Sequence, residues 1–308
     1  MKKNLYGMLA VLMAFAGVFG CSPKPVEDGV LYTYFEDGNL QAEYTYKNGV
    51  RAGKFREYDG SEKIVREGVI QHGVPDEVRY SYFLDGVMRS KVRYIGSVRE
   101  GITQEFHSTG ILHSEKMYKG NKLHGVVKEY SLGGVIEMEK NYKNDRLNGV
   151  TLIYSNGQLQ FEKTYEDDKL NGLSRKYYIN GEIEEEKYYR NDVLDGAWKE
   201  FNEQGNKVNE YLYRRGEIVA QKEFYEDGSL MREERIEKGK PVVVKEYYGG
   251  NGALMRESFL RNSQYTQINE YYENGAVMYR KYYKEGALLK VEQFDPRGSF
   301  LNIQRHQE

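Results

Sequence analysis

The sequence predicts an all-β chain, an elongated single-layer antiparallel meander of about twelve stacked β-hairpin repeats. Three observations carry this. A glycine returns at Gly38, Gly60, Gly86, Gly110, Gly134, Gly157, Gly181, Gly205, Gly228, Gly252, Gly275 and Gly298, at intervals of 22, 26, 24, 24, 23, 24, 24, 23, 24, 23 and 23 residues. A fixed period in this range marks one supersecondary unit stacked on copies of itself. Short runs rich in β-branched and aromatic residues flank Asn-Gly or Asp-Gly, the strongest short-range hairpin signal. Beyond the first twenty residues no apolar spacing of three and four is sustained, so no helix competes.

Two units show the repeat. Residues 149–157 (GVTLIYSNG) precede residues 158–165 (QLQFEKTY), and residues 172–181 (GLSRKYYING) precede residues 182–189 (EIEEEKYY). A second turn follows each hairpin, at residues 143–149 (KNDRLNG), 166–172 (EDDKLNG) and 190–196 (RNDVLDG). Asn and Asp tolerate left-handed backbone angles, and Gly takes them without steric cost. A two-residue turn at Asn156 and Gly157 sets Tyr154 against Leu159, Leu152 against Phe161 and Val150 against Lys163. It leaves Thr151, Ile153, Gln160 and Glu162 on the other face. At Asp227 and Gly228 the loop is one residue longer, the geometry of a type I turn with a glycine bulge, and Phe224 then faces Leu230. Both turn lengths keep an aromatic residue opposite an aliphatic one, a pair worth a few tenths to about 1 kcal/mol.

Composition fits a thin sheet. Tyr supplies 29 residues of the 39% hydrophobic share, and 30% of the chain is charged. Tyr rings and Lys and Arg stems therefore have to cover much of the sheet, with their polar ends in water.

The start of the chain carries a separate message. Lys2 and Lys3 precede a short apolar run from Leu9 to Val18, the pattern of a secretory signal that is too short for a comfortable membrane span. Val18-Phe19-Gly20-Cys21 resembles the bacterial lipobox, so residues 1–20 read as a lipoprotein signal peptide and Cys21, the single cysteine, as the lipidation site. Residues 21–28 read as a lipidated tether and 29–308 as the repeat domain. A lipid on Cys21 would hold the protein at a membrane without spanning it, and the sheet has to hold without disulfides. Ser22 in place of Asp favours the outer membrane by resemblance to bacterial lipoprotein sorting rules, with periplasmic or surface orientation left open. Removing Lys2 and Lys3 leaves 43 basic and 47 acidic residues, a net charge of 43 − 47 = −4. No basic stripe is present, so nucleic acid is not an expected partner.

The unit Leu147, Gly149, Tyr154, Gly157, Leu159, Glu162 and Tyr165 resembles the MORN-repeat variant of bacterial secreted and lipid-anchored proteins. The resemblance runs through about residues 29–300 and is clearest from Gly101 to Tyr213. Repeats two and three depart from it: Asp59-Gly60 comes early and Pro75 interrupts a strand. The resemblance implies stacked hairpins serving as a protein-binding or membrane-proximal scaffold. Some bacterial members are labelled antitoxins.

The candidate binding face is a tyrosine column, Tyr118, Tyr142, Tyr165, Tyr189 and Tyr213, with Trp198 as an aromatic anchor. Tyr130, Tyr154, Tyr177 and Phe201 form a second column. Equivalent residues two strands apart lie roughly 9–10 Å apart, a spacing open to an extended glycan, a peptide strand or a protein, or to packing between repeats. A glutamate column (Glu115, Glu139, Glu162, Glu186, Glu210, Glu233, Glu257) reads as a solvated face balanced by Lys and Arg, because a carboxylate in every repeat argues against one catalytic pair. His107, His113 and His124 cluster within one repeat, but His113 and His124 sit at different places in the hairpin unit, and no metal site is expected. No P-loop, dinucleotide fingerprint, nucleophile elbow or metalloprotease helix is present, and no cofactor is implied. The expected function is a non-enzymatic envelope scaffold that binds an envelope protein. The alternatives are a carbohydrate or peptidoglycan binder using the tyrosine columns, and an immunity or antitoxin protein.

Overall fold

A computed structural model of the chain describes residues 26–306. Among them there is no helix, and 25 strands form one antiparallel sheet in meander order. They divide into two compact units, the first ending at Glu77 and the second starting at Val78. The first holds β1 (Gly29–Tyr34), β2 (Leu40–Lys47), β3 (Val50–Tyr58) and β4 (Ile64–Gln71), and the boundary falls inside β5 (Val74–Tyr82). The second continues with β6 (Met88–Ile95), β7 (Val98–Phe106), β8 (Leu112–Lys119), β9 (Lys122–Tyr130) and β10 (Ile136–Lys143). Next come β11 (Arg146–Leu147), β12 (Gly149–Ser155), β13 (Gln158–Glu166), β14 (Lys169–Tyr177), β15 (Ile183–Arg190), β16 (Val193–Phe201) and β17 (Lys207–Arg214). The last are β18 (Glu217–Phe224), β19 (Leu230–Glu237), β20 (Lys240–Tyr247), β21 (Leu254–Arg261), β22 (Gln264–Tyr271), β23 (Val277–Lys284), β24 (Ala287–Phe294) and β25 (Phe300–Arg305). β11 and β12 are one strand broken at Asn148, whose amide bonds the Asn141 carbonyl at 2.8 Å.

The turns explain three of the uneven glycine intervals. The longer hairpin loops place Gly in the left-handed region, as at Gly228 (φ 83°), whose amide bonds the Tyr225 carbonyl. At Asn156 (φ 51°) and Gly157 (φ 79°) both turn residues are left-handed, the two-residue geometry, and the interval from Gly134 shortens to 23. In the second repeat the left-handed residue is Glu62 (φ 60°), not Gly60. Counted through Glu62, the intervals 22 and 26 become 62 − 38 = 24 and 86 − 62 = 24.

The expected register holds only at the turn. Tyr154 faces Leu159 and Phe224 faces Leu230, as the two turn lengths require. Beyond that, Phe161 faces Ile153 rather than Leu152, and Lys163 faces Thr151 rather than Val150. Gln160 is an extra residue on β13, a β-bulge that moves the rest of the strand by one place. Glu162 thus shares a face with Leu152, and Thr151 with Lys163. The same bulge follows the aromatic–aliphatic pair in other hairpins, including Tyr177 with Ile183 and Tyr247 with Leu254.

A second irregularity separates two kinds of repeat. Between the pairs Lys163–Ser174 and Tyr165–Leu170, β13 advances two residues and β14 four. The two extra residues surround Gly172 (φ 115°). β7, β9, the β11–β12 strand and β16 repeat this around Gly101, Gly125, Gly149 and Gly196. In β18, β20, β22 and β24 only one extra residue is present, the strands have eight residues instead of the nine of β14 and β16, and the glycine is absent. Adjoining side chains fill the wider bulge: Asn141 donates to the Val150 carbonyl at 2.6 Å and Thr45 to the Lys54 carbonyl at 2.8 Å.

Candidate functional site

The sheet offers two unlike faces. The column Tyr118, Tyr142, Tyr165, Tyr189 and Tyr213 stands opposite Gly101, Gly125, Gly149, Gly172 and Gly196 on one neighbouring strand. Across the other neighbour the same rings meet Leu123, Leu147, Leu170, Leu194 and Ile218. All five rings are half-buried. Burial, then the nearby carboxylates of Glu129 and Asp168, pushes the Tyr142 hydroxyl up, and burial with Asp192 does the same at Tyr165. Trp198 lies on this face, its ring 5.1 Å from Tyr211 and 6.1 Å from Tyr213, with the Lys187 ammonium 4.3 Å above it. The structure thus joins Trp198 to Tyr213 and sets the tyrosines in a row, one per repeat.

A third aromatic role was not expected from the sequence. Tyr178, Tyr225, Tyr248 and Tyr272 open the hairpin turns, and each hydroxyl donates to a carbonyl one repeat further on, at Phe201, Tyr247, Tyr271 and Phe294, over 2.8–3.0 Å. The second turns are also tied together. Asp145, Asp168 and Asp192 each accept an amide from the previous repeat (Leu123, Leu147, Leu170) and return their own amide to the same residue's carbonyl.

The opposite face carries the glutamate column, and the register turns it into a ladder of alternating charge. Directly opposed residues run Glu162, Arg175, Glu186, Lys199, Glu210, Lys222, Glu233, Lys245 and Glu257 across β13 to β21. Glu115, Lys128 and Glu139 extend it on one side, with Leu152 interrupting. Within the first unit Glu43, Arg56 and Glu67 make the same pattern. Contacts include Arg175 to Glu186 at 3.1 Å, Lys199 to Glu186 at 2.9 Å and Lys245 to Glu233 at 3.3 Å. Tyrosines join from the strand ends: Tyr177 donates to Glu162 at 2.8 Å and Tyr247 to Glu233 at 2.7 Å. Burial opposes the charge on Glu186, yet the hydrogen bonds and charges of Lys199 and Arg175 outweigh it and hold the carboxyl below its ordinary range. A carboxylate held ionised in a repeated ion pair lacks the raised pKa of a general acid.

Beside this ladder runs an exposed apolar stripe that the sequence reading missed. Ile102, Met117, Val126, Tyr188 and Leu212 lie two residues from ladder positions, on the same face, and stand 37–50% exposed. The signal was present: Met117, Tyr188 and Leu212 each precede a residue of the tyrosine column, and strand alternation turns them to the other side.

His107 and His113 do meet, with ring centroids 4.5 Å apart, and His107 lies 3.2 Å from the Tyr130 carbonyl. Among the described residues no three His, Cys, Asp or Glu side chains are arranged to hold a metal ion, and no helix is long and apolar enough to cross a membrane. Cys21 and residues 1–25 lie outside the described residues.

The family model of the MORN repeat variant matches residues 27–48, 99–119 and 123–144. The second and third segments coincide with the hairpins β7–β8 and β9–β10. No curated protein matches the chain. Among solved structures, the crystal structure of TcdB2-TccC3 is 12% identical over 89% of this chain and 16% of its own length, with a TM-score of 0.23. The TcdB2-TccC3-Cdc42 crystal structure is 14% identical over 89% and 16%, with a TM-score of 0.21. The Photorhabdus luminescens Tc holotoxin pore carrying TccC3-D651A is 12% identical over 90% and 16%, with a TM-score of 0.22. The chain spans about one sixth of the length of these proteins, and likenesses at these scores carry no argument about its function.

Proposed function

We propose that the protein is a non-enzymatic repeat scaffold of the bacterial cell envelope, anchored by a lipid on Cys21, that binds a protein partner through the ladder face of its sheet. The observation that carries the reading is the stripe of Ile102, Met117, Val126, Tyr188 and Leu212 beside alternating charge. An exposed apolar patch rimmed by polar groups is the usual mark of a protein contact. The paired carboxylates support a role without catalysis, since every ladder Glu is answered by a neighbouring cation, hydroxyl or amide rather than left to do acid–base work. The leader and lipobox-like sequence support export and anchoring.

A glycan reading is favoured by one observation, the Trp198, Tyr211 and Tyr213 rings gathered under Lys187. The two readings use opposite faces and separate cleanly. Envelope extract is passed over the whole chain, over a variant with Met117→Ser, Tyr188→Ser and Leu212→Ser, and over one with Trp198→Ala and Tyr213→Ala. One protein captured by the wild type and the aromatic variant, and lost from the serine variant, supports the scaffold. Retention of purified peptidoglycan or polysaccharide that only the aromatic variant loses overturns it in favour of the glycan binder. A captured toxin would identify the partner as that of an immunity protein. Anchoring is checked by labelled fatty acid, which should enter the wild type and not Cys21→Ser.

A further inference from the structure

The two outermost strands are unusual in what they lack. Among the described residues β1 pairs with β2 alone and β25 with β24 alone, so each presents one row of backbone groups with no partner strand, the Ile303 amide meanwhile donating to the Asn302 side-chain oxygen at 2.8 Å. Sheet edges are normally blunted with charge, proline or a covering segment. β1 (GVLYTY) carries no charge, and β25 (FLNIQR) carries only Arg305. Both are six residues long, and their apolar side chains stand open: Tyr32 is 50% exposed and Ile303 38%.

The repeat also says which strand fits the free edge. β25 is the second strand of its hairpin, with Phe294 facing Phe300, and β1 is a first strand, with Tyr34 facing Leu40. A first strand is what the meander calls for after β25. The register follows from β23 and β24, where Tyr279 faces Gln293, Arg280 faces Glu292 and Lys281 faces Val291. Aligned on the hairpin pairs, Asn302 would face Thr33, Ile303 would face Tyr32 and Gln304 would face Leu31. The ladder position is the telling one. Across β23 and β24 it is Arg280 with Glu292, but it ends on Ile303 beside Glu292 at one edge and on Tyr32 beside Glu43 at the other. An uncharged aliphatic and an uncharged aromatic stand where most strands carry an ion, and aromatic–aliphatic pairs stabilise neighbouring strands.

We propose that β25 of one copy pairs antiparallel with β1 of a second copy, so that the protein associates head to tail with Ile303 against Tyr32. Such a contact is heterologous, joins unlike surfaces and leaves one free edge at each end of the assembly.

Two variants test this on the whole chain, by sedimentation in density-matched detergent. Ile303→Lys blocks β25 while leaving β1 intact, and gains an ion partner in Glu292. Tyr32→Lys blocks β1 while leaving β25 intact, and gains one in Glu43. Wild type should show mass rising with concentration up to about 100 µM. Each variant alone should need at least roughly tenfold more protein to associate. An equimolar mixture should form dimers and nothing larger, since one intact β1 meets one intact β25. Circular dichroism should show the same strand content in all three. A wild type that stays monomeric throughout overturns the proposal, as does a mixture that stays monomeric. Tyr32→Lys dimerising alone also overturns it, since that would be a symmetric β25 contact.

Discussion

From β7 to β16 each first strand of a hairpin bulges by two residues around a glycine, and a tyrosine stands opposite that glycine on the following strand. From β18 to β24 each first strand bulges by one residue, and Val219, Val242, Thr266 and Leu289 stand where the glycine was. The tyrosine place changes with it, to Ile236 and Leu260 in two of those repeats, while Tyr283 remains beside Tyr265. The hairpin pair and the charge ladder pass through both regions with little change. The register is therefore fixed by the ladder and by the pair beside the turn, while the far end of the hairpin accepts either solution: a glycine in a two-residue bulge, or a side chain in a one-residue bulge. The first unit adds a variant at Glu77, which takes the glycine's place in β5. Its side chain is fully buried and paired with Arg66, and the glycine is found instead at Gly68 on β4, where an added Cβ would lie 2.2 Å from the Asp76 carbonyl oxygen.

The largest effect should come from forcing one solution on the other. Gly196 has φ 147°, and a Cβ there would lie 2.8 Å from that of Tyr188. Gly196→Ala should cost about 2–3 kcal/mol, the scale of a strained backbone residue with a clash. Val219→Gly should cost about 1 kcal/mol through lost packing and greater freedom of the unfolded chain. Because repeats open locally, amide exchange of β16 and β17 against β18 and β19 is the measurement. Equal costs would remove the distinction between the regions.

A smaller effect is expected at the second turns. Asp168→Ala removes the acceptor for the Leu147 amide, bonded at 2.7 Å, and should loosen the neighbouring turn by about 1 kcal/mol. The equivalent place in the glycine-free region is Gly239, which has no carboxylate to lose. Exchange of the Leu147 amide should quicken in the variant, and protection of the β19–β20 turn should stay as it was.

Acid should act on both regions alike. Burial opposes ionisation of Glu186 and Glu233, but Lys199 and Arg175 at the first, and Tyr247 and Lys245 at the second, hold both carboxyls below their ordinary range. The stability they contribute is complete above the unfolded-state value of about 4.3 and is lost as pH falls through the lower folded values. Tyr44 in the first unit goes the other way, pushed up to about 12 by burial and by its hydrogen bond to Glu57. Its contribution is present below pH of about 10 and lost as pH rises through the folded value. Unfolding followed across pH should find acid loosening β15 and β19 together; loosening of one alone would mean that the ladder is not shared.

The smallest effect belongs to single ladder cations. Lys199→Ala should cost a few tenths to about 1 kcal/mol, as surface pairs do, and should shrink as salt is added. A loss that ignores salt would point to packing of the lysine stem instead.

Much of this was legible in the sequence. Hairpin turns are written in local chemistry, so Asn156-Gly157 and Asp227-Gly228 gave strand order, turn length and the pair beside each turn. The bulge at Gln160 was hidden because it depends on how two strands meet, not on the composition of either, and it reversed the expected partners of Phe161 and Lys163. The glutamate column was visible, but its alternation with Arg175 and Lys199 needed the register. The tyrosine column drew attention because it repeats. The stripe is irregular, with Asn141 and Thr164 interrupting Met117, Tyr188 and Leu212, and a search for repetition passes over it.

Leu212 and Tyr213 are neighbours that face opposite sides of the sheet, Leu212 beside the charge ladder and Tyr213 beside Trp198. A photo-crosslinking residue placed at each in turn, in cells, tests the choice of face with one bond of separation. The account predicts one discrete crosslinked protein from position 212 and none from 213. The same protein caught from 213 and not from 212 would contradict it.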